Sequence, residues 1–210
     1  MNCETVRLDA GKADAGNCDR AKFEPGDLLI FYGRDFTSQI IEWATRGPSH
    51  VGIVCPHGDL GPVLFESTTL CETPCLLTGQ SVRGVQAHEP ATRIASYPGV
   101  VARLQLTQAW RLSTAEIGLL HDWLLRVANE PYDLRGALIS GTRLFKWTAL
   151  MPYPDLDSLF CSELCAAALM RLARMPLENP SVYNPASLVR ELRRCGTYGE
   201  PQFIKLANRN

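Results

Sequence analysis

The sequence has almost no excess of charge of either sign: 21 Lys and Arg stand against 22 Asp and Glu, and the basic residues are scattered. The basic stripe that neutralises phosphates is missing, which excludes nucleic acid as the expected partner. Long apolar runs are missing as well. No stretch approaches the roughly 20 residues of a membrane-spanning helix. Met1 to Lys22 contains no apolar segment of the kind that an export signal carries. The expectation is a cytoplasmic protein without a transmembrane segment. Low-complexity tracts and internal repeats are absent too. With 46% apolar and 20% charged residues, the chain has the composition of a folded domain.

Cysteine, by contrast, is plentiful, with eight residues. Without an export signal these are expected to meet a reducing compartment and stay free thiols. Two pairs have a C-x3-C spacing, Cys71 with Cys75 and Cys161 with Cys165. Neither has the C-x2-C spacing of a zinc knuckle.

Residues 1–22 show no period and read as a flexible leader, and residues 23–210 as a single domain. Phe23-Glu24-Pro25-Gly26-Asp27 turns into Leu28 to Tyr32 (LLIFY), a short apolar run that predicts a buried strand. Phe36, Ile40, Ile41 and Ala44 recur at helical spacing, and Gly47-Pro48 ends that pattern. Strands are predicted from His50 to Val54, Val63 to Glu66 and Val100 to Leu106. Residues 70–98, rich in Thr, Pro, Gly and Cys, read as loop with one strand near Val82 to Ala87.

The second half is helical. Ser113-Thr114-x-Glu116 is a capping-box start for a helix to about Asn129, stopped by Pro131. Further helices are predicted over 135–147, from Cys161 to Arg174 and from Pro185 to Arg194. Strands followed by helices make an α+β class, an antiparallel sheet packed against helices.

Of the eight cysteines, Cys161 alone follows a loop, Pro152 to Leu159, and opens a strong helix. In a first turn the unpaired amides and the helix dipole favour a thiolate and can cradle an oxyanion. Cys165, one turn later, suits the other common fate of a free cysteine, a small buried hydrophobe. His50 stands where the turn Gly47-Pro48-Ser49 enters an apolar strand, a rigid mounting for a general base. Glu66 ends the next apolar run, and antiparallel pairing of the two strands brings its carboxylate towards the imidazole. Cysteine, base and orienting carboxylate together make a nucleophilic site.

The motifs SHVGIV after the P-G-D-L-L-x-F strand, then LFEST, PYD and LFCSEL, resemble circularly permuted NlpC-type papain-like cysteine hydrolases, the YiiX-like branch. The resemblance runs from about Glu24 to Leu172, and F-C-S-E-L is its most specific element. It implies a permuted papain-like fold in which the histidine precedes the cysteine helix. It also implies a catalytic triad with Cys161 as nucleophile, His50 as base and Glu66 as third residue, and no metal or cofactor. Tyr132 of Pro131-Tyr132-Asp133 matches a family tyrosine beside the cleft, where it would bind substrate or the oxyanion.

The expected activity is thiol-peptidase cleavage of an amide, in a peptide or peptidoglycan stem peptide, through an acyl-cysteine intermediate. The alternative keeps the same site but takes a lipid acyl group, as an acyltransferase, thioesterase or lipase, because the lecithin:retinol acyltransferase group lies in the same superfamily. A third reading is a zinc-binding interaction module built from Cys55, His57, Cys71 and Cys75.

Overall fold

The computed structural model describes residues 23–33, 47–68, 72–129 and 156–206. The leader over 1–22, the helices expected over 36–44 and 135–147, and Cys71 and Tyr132 lie outside the described residues.

Six strands form one antiparallel sheet: β1 (Leu28–Tyr32), β2 (His50–Pro56), β3 (Pro62–Thr68), β4 (Gly84–His88), β5 (Val100–Leu104) and β6 (Gln202–Lys205). Their spatial order is β4-β3-β2-β1-β5-β6. Four α-helices accompany the sheet among the described residues: α1 (Pro90–Ser96), α2 (Thr114–Asn129), α3 (Leu156–Arg171) and α4 (Pro185–Arg194). The chain is therefore α+β.

Side chains alternate across a strand, so each sheet face has its own set of residues. On one face Ile30, Val51, Ile53, Phe65 and Ala102 pack against Leu120 and Leu124 of α2, Cys165 and Leu169 of α3, and Leu188 of α4. On the other, Leu29, Phe31, Val54, Leu64 and Val101 pack with Ile94 of α1 and Tyr97. Burial of each large apolar side chain contributes about 1.5–3 kcal/mol, which makes this two-faced core the main stabilising element.

The helix starts are chemically specified. Ser113 and Glu116 close the expected capping box: the Ser113 amide donates to Glu116 Oε2 at 2.8 Å and the Glu116 amide to Ser113 Oγ at 3.4 Å. Asn184 caps α4, whose Pro185 occupies the first turn.

Two elements go beyond the sequence reading. Within the stretch read as loop, Glu89-Pro90 starts the seven-residue helix α1, and the four-residue β6 adds an edge strand. A correction concerns α3. It begins at Leu156, so Cys161 lies in its second turn rather than opening it. The helix dipole and the unpaired amides act within the first turn, so they do not supply the thiolate stabilisation or the oxyanion cradle expected from a first-turn cysteine.

Candidate active site

His50 is the first residue of β2, and its cross-strand neighbour is Phe31. The Phe31 ring lies 5.4 Å from the imidazole, centroid to centroid. Glu66 lies on β3 opposite Gly52, and Leu64 lies opposite Val54. The alternation therefore puts Glu66 on the α1 face of the sheet. Cys161 belongs to α3 and to the cluster on the opposite face. The two meet at His50, where the strand begins: His50 Nε2 is 2.6 Å from Glu66 Oε2, and the imidazole also hydrogen-bonds Cys161. Because Nε2 is taken by Glu66, Nδ1 is the ring nitrogen left for the thiol.

The structure thus brings together the three residues expected from sequence. It also shows how shielded they are. Cys161 and Glu66 are fully buried, and the His50 side chain is 13% exposed.

Two further residues, not expected from sequence, surround the carboxylate. His88 Nδ1 lies 2.8 Å from Glu66 Oε1. Arg93 donates from Nε to the same oxygen at 2.6 Å and from Nη2 to Oε2 at 3.3 Å. His88 ends β4 and Arg93 sits in α1, separated by the turn Glu89-Pro90. Both belong to the segment read as loop, and no local motif marks them. Only the pairing of β3 with β4, which sets Leu64 opposite His88, brings them to Glu66.

The electrostatics follow from these contacts. Burial opposes the charged form of His50, but the charge of Cys161 beside it, their hydrogen bond and the hydrogen bond to Glu66 outweigh it and raise the imidazole to about 10. For Glu66, burial alone would push the carboxyl up. Hydrogen bonds from His50 and His88, with the charges of His50 and Arg93, hold it instead well below the usual carboxylate range. Cys165 goes the other way, its thiol raised by burial and then by the charges of Cys161 and Glu66. Within one helix, then, Cys161 faces an imidazole while Cys165 is an inert packing thiol. Glu163 of the same motif does not join the cluster. Burial alone raises its carboxyl to about 7, and its Oε1 has no hydrogen-bond partner.

Of the four zinc candidates Cys71 lies outside the described residues, and the other three have separate surroundings. His57 Nδ1 pairs with His121 Nε2 at 2.9 Å. Cys75 accepts a hydrogen bond from the Ala87 amide. Burial pushes the Cys55 thiol up to about 12, the reverse of what a thiolate ligand needs. Among the described residues no group of three or more His, Cys, Asp or Glu is arranged to hold a metal ion. Also among them, no helix is long and apolar enough to cross a membrane.

No family model and no curated protein matches the chain. Among solved structures, the chain is similar to the crystal structure of metalloprotein yiiX from Escherichia coli O157:H7. That similarity has 19% sequence identity and a TM-score of 0.47, and covers 87% of this chain and 89% of that one.

Proposed function

We propose that residues 23–210 form a single permuted NlpC-type papain-like domain that acts as a cysteine hydrolase on amide bonds of peptide-like substrates. Cys161 is its nucleophile, His50 its base and Glu66 the residue that orients the base. The observation that supports this reading most is the position of His50, hydrogen-bonded on one side to a buried ionised carboxylate and on the other to a cysteine. A structural cysteine has no need of an imidazole whose charged form is favoured so strongly. Nucleophilic catalysis needs that arrangement.

The reaction begins from a thiolate–imidazolium pair. Attack forms a bond between Cys161 Sγ and the carbonyl carbon and moves the C=O π pair onto oxygen. Collapse restores the carbonyl and breaks the C–N bond as His50 gives its proton to the departing amine, leaving an acyl-cysteine. Neutral His50 then takes a proton from water, whose oxygen attacks the thioester. The C–S bond breaks, the acid leaves, and the pair is restored. Glu66 stays ionised throughout and stabilises the imidazolium. The second-turn position of Cys161 leaves the oxyanion to donors other than first-turn amides, and the family resemblance assigns Tyr132 to that role.

The test is labelling of the intact chain with two electrophiles, a peptide-like and a fatty-acyl-like one, followed by mapping of the modified residue. The proposal expects Cys161 to be modified, and by the peptide-like reagent faster. Preference for the acyl-like reagent would move the substrate to lipid esters, and modification elsewhere would remove the nucleophile assignment.

A further inference from the structure

A buried imidazole with two acceptor partners has a definite protonation state. His88 has no exposed surface. Its Nδ1 faces Glu66 Oε1 at 2.8 Å, and its Nε2 faces the Thr73 carbonyl oxygen at 3.1 Å. An ionised carboxylate and a backbone carbonyl can only accept, and a neutral imidazole has one N–H to give. Either neutral tautomer would set a nitrogen lone pair against an oxygen lone pair. Only the doubly protonated ring satisfies both contacts.

We propose that His88 is a buried imidazolium and that His88 and Arg93 are positioning residues, which clamp Glu66 Oε1 so that Oε2 is presented to His50. The purpose of the clamp rests on the reading of Cys161 and His50 as a catalytic pair. The charge state of His88 does not.

His88 faces Glu66 on β3 and the Thr73 carbonyl before β4, and Arg93 on α1 shares Glu66 Oε1 with it. Arg93 is itself held, its guanidinium 5.2 Å from the Phe31 ring centroid and 5.4 Å from that of Tyr97. Its planar fork fixes the carboxylate plane in a way that one hydrogen bond cannot. With His50 charged, three cations surround one carboxylate. The proposed Cys161 thiolate beside His50 offsets one of these charges. The same charges keep Glu66 from taking the imidazole proton, so the proton of His50 passes to the leaving group.

The experiment is nitrogen NMR of the full chain carrying ring-labelled histidine, with His88 assigned by the signal lost in His88→Gln. Both His88 ring nitrogens are expected to be protonated at neutral pH. One unprotonated nitrogen would overturn the imidazolium. In Arg93→Lys, which keeps the charge and loses the fork, proton binding at His50 is expected to weaken about tenfold, one pKa unit. An unchanged His50 titration in a folded Arg93→Lys would overturn the positioning role. If that variant does not fold, the wild-type His88 signals still decide the charge state. Neither spectrum needs activity: if both hold and Cys161 resists labelling, it is the hydrolase reading that falls.

Discussion

Glu66 reaches His50 along a diagonal of the sheet: its cross-strand partner is Gly52, yet its Oε2 lies 2.6 Å from His50 Nε2. Diagonal neighbours lie farther apart than direct pairs, and only a long side chain closes that gap. The glycine between them leaves the path open. A Cβ at position 52 would stand 2.8 Å from Leu64 Cδ1, 3.0 Å from the Phe65 carbonyl oxygen and 3.1 Å from Glu66 Cβ.

Gly52→Ala is accordingly expected to destabilise the fold by about 1–3 kcal/mol through overpacking and to slow labelling of Cys161 by displacing Glu66. Urea denaturation and labelling rates measure the two effects. A variant as stable and as reactive as the wild type would show that the diagonal tolerates a side chain.

Glu66→Gln tests the hub rather than the diagonal. An amide keeps the size of the side chain but turns an NH2 towards groups that donate, and it leaves Arg93 buried beside a neutral partner. Removing one member of a buried pair costs about 3–5 kcal/mol, and this loss is expected in the urea midpoint. Labelling of Cys161 should be slowed and not abolished, because the amide oxygen still accepts from His50. In His50→Ala labelling at neutral pH should be lost, and equal losses in the two variants would contradict the roles assigned.

Protonation of His50 makes a separate claim. Its imidazole titrates at about 10 in the folded chain against about 6.5 in an unfolded one. The raised value makes its contribution to stability complete below the unfolded pKa and lost as pH rises through the folded value. With Cys161 a thiolate as proposed, the proton that His50 keeps between about pH 6.5 and 8.5 is offset by the one that Cys161 gives up, so stability should fall chiefly between about pH 8.5 and 10. In Cys161→Ala that loss should come at lower pH, because the charge and hydrogen bond of Cys161 are the largest favourable contributions. Stability curves from pH 5 to 11 measure this, and superimposable curves would show that the two side chains do not interact.

Sequence pattern located the elements whose specification is local. Leu28–Tyr32 is a continuous apolar run closed by turn residues, and its bounds match the strand. The capped helix α4 was equally legible from Pro185 and from Gly196 beyond its end. The start of α3 was placed five residues late, because Asp157 and Ser158 suit a loop and a helical first turn equally well. The same ambiguity put Cys161 at the helix dipole, whereas the structure places it in the second turn beside His50. His50, Glu66 and Cys161 were legible because each stands in its own local motif, His50 also at the start of its strand. His88 and Arg93 were not, because their importance comes from the pairing of β3 with β4 and from the docking of α1, long-range relations that no local period encodes.

The most direct measurement of the central claim is the pH dependence of iodoacetamide alkylation at Cys161, read by peptide mass spectrometry in the wild type and in His50→Ala. Cys195, the partly exposed thiol among the described cysteines, is the internal standard. The thiolate–imidazolium pair requires that Cys161 react at mildly acidic pH, where an ordinary thiol near 8.5 is protonated. It also requires that the profile move to higher pH when the imidazole is removed. Protection of Cys161 across the neutral range while Cys195 reacts, or identical profiles in the two proteins, would contradict it.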